Sequence, residues 1–154
     1  MAVSKLADGP RFLRQRDLFR CGPLALLNLH KLHGRDVTRE DLSSYTDLLG
    51  CCPRHGTPEE NFSRAVHQVG RHMGYARFRF WIDHERSAIV LTRHPRGMWH
   101  YFLVVGIGEC KKDGRHGFIA VNFAPSIETV SLINFPYMKW LLQYSTVWTF
   151  PKGT

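Results

Sequence analysis

The sequence has no long hydrophobic run, and no stretch approaches the roughly 18 apolar residues that a membrane-spanning helix needs. Residues 1–7 also lack the apolar centre of an export signal. We therefore expect a protein that has no membrane partner and resides in the cytoplasm. The chain has four cysteines, and in that compartment they are expected to be reduced thiols.

Several motifs of metal, phosphate and RNA binding are also missing. The chain has no His-Glu-x-x-His, no glycine-rich phosphate loop and no arginine-glycine repeat. Cys51, Cys52 and His55 have the chemistry of zinc ligands, but a second ligand pair at the usual spacing is absent. The sequence therefore predicts neither a metal nor a cofactor.

Acidic residues are scarce relative to basic ones, 13 against 21, which gives a formal net charge of +8. Such a charge favours solubility and attracts polyanions, but it does not determine a fold. Because the basic residues are scattered, a solvated basic surface is the favoured interpretation. Nucleic acid remains a possible partner that the sequence does not favour.

No repeat, linker or low-complexity tract interrupts the 154 residues, so one domain covering 1–154 is predicted. The first half has helical patterns. An apolar helix follows Cys21 and ends at Gly34, with proline near its start and glycine after its end. A second helix is predicted from Thr38 to Gly50, and a third from a capping box at residues 57–60 to Gly74.

The second half has strand patterns, and residues 77–82 alternate polar and apolar side chains as a half-buried strand does. A hairpin turn is expected at 111–114 and a short helix at 137–142. Helices followed by an antiparallel sheet make the predicted fold class α+β. The predicted strands cover residues 77–82, 87–92, 100–106, 117–123, 128–133 and 146–150.

Cys21 is the first candidate for chemistry, because it stands where the apolar helix begins. Unpaired backbone N–H groups and the helix dipole at such a position stabilise a thiolate, so the pattern predicts a lowered thiol pKa. A thiolate of this kind is a nucleophile for acyl transfer. The alternative is an inert buried cysteine, which is the more frequent role of an isolated cysteine.

Gln15 lies six residues before Cys21. A side-chain amide beside the backbone N–H of a nucleophile makes a two-donor oxyanion hole. A lone glutamine on a loop is usually a solvated surface residue. Its position before a cysteine that opens a helix favours the role of oxyanion donor.

His100 and Asn122 supply the other two candidates. His100 begins a strongly apolar predicted strand and is a candidate general base, while Asn122 lies on the next strand. If the strands pair, the Asn122 side chain is expected to accept the imidazole N–H and fix its tautomer. Each residue alone is as easily a satisfied polar group in a sheet.

Taken together in chain order, the motifs around Gln15, Cys21, His100 and Asn122 resemble those of the bacteriocin-processing, double-glycine-leader cysteine peptidases and their stand-alone relatives in the papain-like clan. The resemblance covers about residues 14–125 and implies the papain-like fold. Where that pattern has Asp-Pro, this sequence has Asn-Phe-Ala-Pro. The motifs that carry the resemblance are Gln15, Cys21-Gly22-Pro23, Gly56-Thr57, His100-Tyr101 through Gly106, and Asn122.

The sequence thus predicts a cysteine peptidase or amide hydrolase with a peptide or protein substrate. The same site would perform acyl transfer if an amine replaced water. The alternative, from a different functional class, is a non-catalytic module on the same fold that binds a peptide or nucleic acid. The oligomeric state is left open.

Overall fold

The computed structural model describes residues 11–93, 99–124 and 128–152 of the chain. The described residues form five α-helices, a short 3₁₀ helix at Arg39–Asp41 and five β-strands. The helices are α1 (Cys21–Leu32), α2 (Leu42–Leu48), α3 (Glu59–Ala65), α4 (Tyr75–Asp83) and α5 (Phe135–Leu142). The strands are β1 (Ser87–Arg93), β2 (Trp99–Glu109), β3 (His116–Val121), β4 (Val130–Ile133) and β5 (Ser145–Phe150).

The strands form one antiparallel sheet in the order β4-β3-β2-β1-β5. The long strand β2 lies at its centre, and the register of β2 with β3 shifts between Val104 and Gly106. Helices α1 to α4 precede the first strand, and α5 joins β4 to β5. The fold is α+β, as the order of the sequence patterns predicts.

Each face of the sheet has its own apolar core, because successive side chains of a strand point to opposite faces. On one face, α1 packs against alternate residues of β1 and β2, including Ile89 and Leu103. On the other face, α4 and α5 cover Val90 and Phe102. Helix α1 is buried over its first nine residues, so the residue that begins it is held rigidly against the central strand.

Most of the predicted elements are confirmed, with ends shifted by a few residues. The third helix, predicted to reach Gly74, instead ends at Ala65, because His67 leaves the helical region with a φ of +53°. Thr38 and Asp41 form the expected reciprocal cap, at the 3₁₀ helix that precedes α2. The capping box predicted at residues 57–60 is wrong, because Pro58 is the N-cap of α3 and no side chain caps it. Pro125, which the resemblance includes, lies outside the described residues.

The strand predicted at residues 77–82 is wrong, because this segment belongs to helix α4. Alternation and a helical period both place Phe78 and Ile82 on one face, and both are fully buried. Phe80 distinguishes the two, and it is 62% exposed. In a strand it would share the buried face, whereas in a helix it turns away.

Among the described residues, no helix combines the length and apolar character needed to span a membrane. That residues 1–154 form a single domain stays a prediction.

Candidate active site

Cys21 is the first residue of α1, and its side chain is buried. The turn before it is held by Asp17, whose carboxylate accepts the backbone N–H groups of Phe19 and Arg20 at 3.1 and 2.8 Å. These two backbone N–H groups, just before the helix begins, are thus hydrogen-bonded to a side chain four residues before Cys21. The backbone N–H groups of Cys21 and Gly22 interact with the sulfur.

The pKa of Cys21 differs from the sequence prediction. Burial raises the pKa of the thiol above its ordinary value, and a nearby Cys51 thiolate would raise it further. Hydrogen bonds from the backbone N–H groups of Tyr101, Gly22 and Cys21 itself oppose this rise, but burial prevails. The predicted lowering is therefore wrong, and the sulfur rests as a neutral thiol near pH 7.

The segment from Cys51 to Thr57 wraps around the start of α1. Its ends are joined by two backbone hydrogen bonds between Cys52 and Gly56, and Gly56 has a φ of +64°, which favours glycine. Thr57 then packs against Gly22, where an added Cβ would lie 2.4 Å from the threonine Oγ1. Gly22 is thus required for the close packing of the Gly56-Thr57 element against the start of α1.

His100 lies at the start of β2, and the backbone N–H of the next residue, Tyr101, points to Cys21 Sγ at 3.5 Å. The imidazole Nε2 is 2.6 Å from the backbone carbonyl oxygen of Asn122. Because a carbonyl only accepts, Nε2 carries the proton and Nδ1 is left as the basic nitrogen. Burial lowers the pKa of His100 below its ordinary value, which keeps the ring neutral near pH 7.

Asn122 contacts His100 through its main chain, whereas its side chain binds elsewhere. The side-chain Oδ1 accepts the backbone N–H of Gln15 at 3.0 Å, and Nδ2 donates to the carbonyl of Leu13 at 2.8 Å. Asn122 has a φ of +58°, a conformation that asparagine tolerates better than most residues. The expected side-chain contact to the imidazole is replaced by a main-chain contact.

Gln15 is buried, and its Nε2 donates to the backbone carbonyl of Asp17 at 2.7 Å. This contact fixes the orientation of the amide, because the reversed amide would set two oxygens against each other. The second hydrogen of Nε2 is not used by this bond. Oε1 is buried without a hydrogen-bond partner among the described residues.

Asn28 also binds the backbone of Leu13, in the segment that Asn122 contacts. It was not predicted from the sequence. Its amide accepts the Leu13 N–H at 2.9 Å and donates to the Leu13 carbonyl at 3.1 Å. Asn28 is fully buried on α1, seven residues after Cys21. A polar residue inside an otherwise apolar helix was the available signal, because buried amides are nearly always paired.

The four predicted site residues are therefore linked by one chain of hydrogen bonds. Gln15 bonds to Asn122, Asn122 to His100, and the peptide that follows His100 to Cys21. The linked residues come from different parts of the fold: the segment before α1, the residue that follows β3, the start of β2 and the start of α1. Among the described residues, no group of three His, Cys, Asp or Glu side chains is arranged to hold a metal.

Solved structures with the same architecture include two peptidase domains. One is the peptidase domain of Streptococcus ComA, a bifunctional ABC transporter of a quorum-sensing pathway, with a TM-score of 0.66. The protein has the papain-like peptidase fold. The match covers 91% of this chain and 97% of that domain at 16% sequence identity.

The second is a double-glycine motif protease from an AMS/PCAT transporter, solved in complex with the leader peptide. Its TM-score is 0.63, and the match covers 95% of this chain and 96% of the other at 13% identity. No protein-family model and no curated protein matches the sequence. At these identities the similarity concerns the fold, and the chemistry has to be argued from the residues.

Alkylation of Cys21 by iodoacetamide is expected to rise with pH and to reach half its maximal rate above pH 9.0, the ordinary thiol value. The thiolate is the nucleophile, and burial raises the pKa at which it forms. The rate is measured by quenched peptide mapping, with Cys21→Ser as the control. Fast, pH-independent alkylation of Cys21 already at about pH 6 would mean that a thiolate–imidazolium pair exists at rest.

Proposed function

We propose that this chain is a cysteine peptidase or a related amide hydrolase. Cys21 is the nucleophile and His100 the general base in this proposal, while Gln15 and the Cys21 backbone N–H donate to the oxyanion. The observation that carries the proposal is the single hydrogen-bonded chain from Gln15 through Asn122 to His100, which ends at the Cys21 sulfur. The fold of two peptidase domains supports it.

The reaction begins from a neutral thiol and a neutral imidazole. His100 Nδ1 takes the Cys21 proton as the sulfur attacks the carbonyl carbon, and the carbonyl oxygen becomes an oxyanion. The free N–H of Gln15 and the backbone N–H of Cys21 bind that oxygen. When the intermediate collapses, the leaving amine takes the proton from His100 and a thioester remains. Water, activated by His100, hydrolyses the thioester.

A peptide is the substrate class that this proposal favours, and one of the structural neighbours was solved with a leader peptide. All four cysteines are free thiols, and a reducing compartment keeps thiols in this state. A cytoplasmic location is part of the proposal. An amine in place of water would convert hydrolysis into acyl transfer at the same thioester.

The test of this function is cleavage of a peptide library, with new N-termini identified by mass spectrometry. The protein is compared with Cys21→Ser and with the matched control Cys52→Ser, which changes a cysteine outside the hydrogen-bonded chain. Cleavage by the parent and by Cys52→Ser, but not by Cys21→Ser, is expected. If the parent cleaves no peptide beyond the background of Cys21→Ser, the fold serves as a binding module instead.

In the same proposal, Asn122 is a positioning residue with two functions. Its main-chain carbonyl fixes the His100 tautomer, and its side chain holds the Leu13–Gln15 segment from which the oxyanion donor projects. If the side chain only accepted the imidazole N–H, as the sequence pattern predicts, Asn122→Asp would be tolerated better than Asn122→Ala. The contact to Leu13 leads to a different expectation. A carboxylate here would face the Leu13 carbonyl without a hydrogen to donate.

Asn122→Gly is expected to lower acylation of Cys21 by a p-nitrophenyl ester about 10-fold, because losing buried hydrogen bonds costs about 1–3 kcal/mol and loosens Gln15. Glycine retains the positive φ and the carbonyl, so the acid limb of the pH–rate profile stays in place. Asn122→Asp is expected to be no better than Asn122→Gly. If Asn122→Asp instead retains parental acylation, the side chain does not act through Leu13.

A further inference from the structure

A cavity of about 470 Å³ lies on α4, on the opposite face of the sheet from α1 and Cys21. This volume falls within the roughly 300–1,000 Å³ of small-molecule pockets. Met73 and Ala76 supply apolar surface. The remaining lining residues are Arg71, Arg77, Phe80, Trp81 and Arg86, so the cavity combines three guanidinium groups with two aromatic rings.

The three arginines of this cavity bring positive charge to its lining. Among the described residues, no carboxylate forms an ion pair with Arg71, Arg77 or Arg86, and no acidic side chain lines the cavity. The Arg71 backbone is fixed by two hydrogen bonds to Val147 on the edge strand β5, at 3.1 and 2.8 Å. Planar guanidinium groups suit the oxygens of a phosphate.

The aromatic part of the cavity is partly rigid and partly open. Trp81 donates its indole N–H to the Ser87 carbonyl at 2.8 Å, and the Arg86 guanidinium lies 4.5 Å from the Trp81 ring centroid. Phe80 is 62% exposed and is supported by the His84 ring at a centroid distance of 4.1 Å. An exposed ring beside unpaired arginines offers a stacking surface for a planar base.

We propose that this cavity is a nucleotide-binding site, in which Arg71 and Arg77 bind the phosphate and the base stacks on Phe80. An acidic peptide would use the arginines but leave the exposed ring without a planar partner. An apolar ligand would leave three guanidinium groups unpaired. The base and phosphate of one nucleotide use both features, whether the nucleotide is free or belongs to a single-stranded nucleic acid. The site is independent of the Cys21 chemistry.

Calorimetric titration of the full chain with AMP, adenosine, ribose 5-phosphate and a short oligoadenylate tests the proposal. AMP is expected to bind about 10-fold more tightly than either fragment, because stacking and phosphate contacts both contribute. Phe80→Ala should weaken AMP about 10-fold and leave ribose 5-phosphate unchanged. Arg77→Gln should weaken AMP and ribose 5-phosphate alike and reduce the dependence of binding on salt.

Arg64→Gln, an exposed arginine on α3 outside the cavity, is the matched control and should bind AMP like the parent. Tighter binding of the oligomer than of AMP, with the same loss in Phe80→Ala and Arg77→Gln, supports the site and identifies nucleic acid as the source. Equal binding supports a free nucleotide. The proposal is overturned if neither AMP nor the oligoadenylate binds, or if AMP binds no more tightly than ribose 5-phosphate. It is also overturned if Phe80→Ala and Arg77→Gln both bind AMP like the parent. Cys21→Ser should bind AMP normally, so the outcome is independent of peptidase activity.

Discussion

Gln15→Ala is expected to lower the rate at which a p-nitrophenyl ester acylates Cys21 by about 10²–10³-fold, the usual cost of one oxyanion donor. The Nε2 hydrogen that the Asp17 carbonyl does not use is the donor, and it acts only when negative charge develops on the substrate oxygen. The measurement is single-turnover acylation, located at Cys21 by peptide mapping.

Alkylation by iodoacetamide supplies the control for this substitution, because that reaction forms no oxyanion. The alkylation rate of Gln15→Ala at high pH should therefore stay within a few-fold of the parent. Gln143→Ala, an exposed glutamine at the end of α5, should change neither rate. If Gln15→Ala slows alkylation as much as acylation, the residue holds the site together and is not an oxyanion donor.

His100→Ala is expected to lower acylation of Cys21 at neutral pH by about 10²–10⁴-fold, the usual contribution of a general base. The parent profile should have an acid limb below pH 6.5, because burial lowers the pKa of His100 and only the neutral ring accepts the thiol proton. This limb should vanish in His100→Ala. As pH rises through the raised pKa of Cys21, the thiolate forms without a base and the deficit should shrink.

His116→Ala, which removes an exposed histidine from β3, is the matched control and should retain both the rate and the acid limb. Thermal unfolding of the two variants verifies that the fold is intact. A His100→Ala protein whose deficit persists unchanged at high pH would contradict the role of base, since a pre-formed thiolate no longer needs one.

The order of the elements could be predicted from the sequence because most segments are apolar runs with clear boundaries. Strand β1 is buried along almost its whole length, and α1 is an apolar run bounded by Cys-Gly-Pro and glycine. The segment of α4 was not readable, because residues 78 and 82 are buried by either period. Only the tertiary packing, which buries Phe78 and Ile82 and leaves Phe80 exposed to solvent, distinguishes the helix from a strand.

The site residues are brought together by the fold, but two of their properties lay beyond the sequence. The thiol pKa depends on how much protein covers Cys21, which a helix-start pattern does not reveal. The contact to His100 comes from the Asn122 main chain, because a positive φ turns the carbonyl towards the ring while the side chain binds Leu13. A residue type predicts what a side chain does more readily than what its backbone does.

The central claim is that Cys21 attacks an acyl carbon with the help of His100, and a panel of peptide electrophiles tests it most directly. The protein is incubated with each probe near neutral pH. Its intact mass is then measured to detect an adduct, and peptide mapping locates the modified residue. The account predicts a single adduct at Cys21 that depends on the peptide sequence, is lost in Cys21→Ser and is strongly slowed in His100→Ala. Labelling that falls on Cys51, Cys52 or Cys110 instead, or that His100→Ala leaves unchanged, would contradict it.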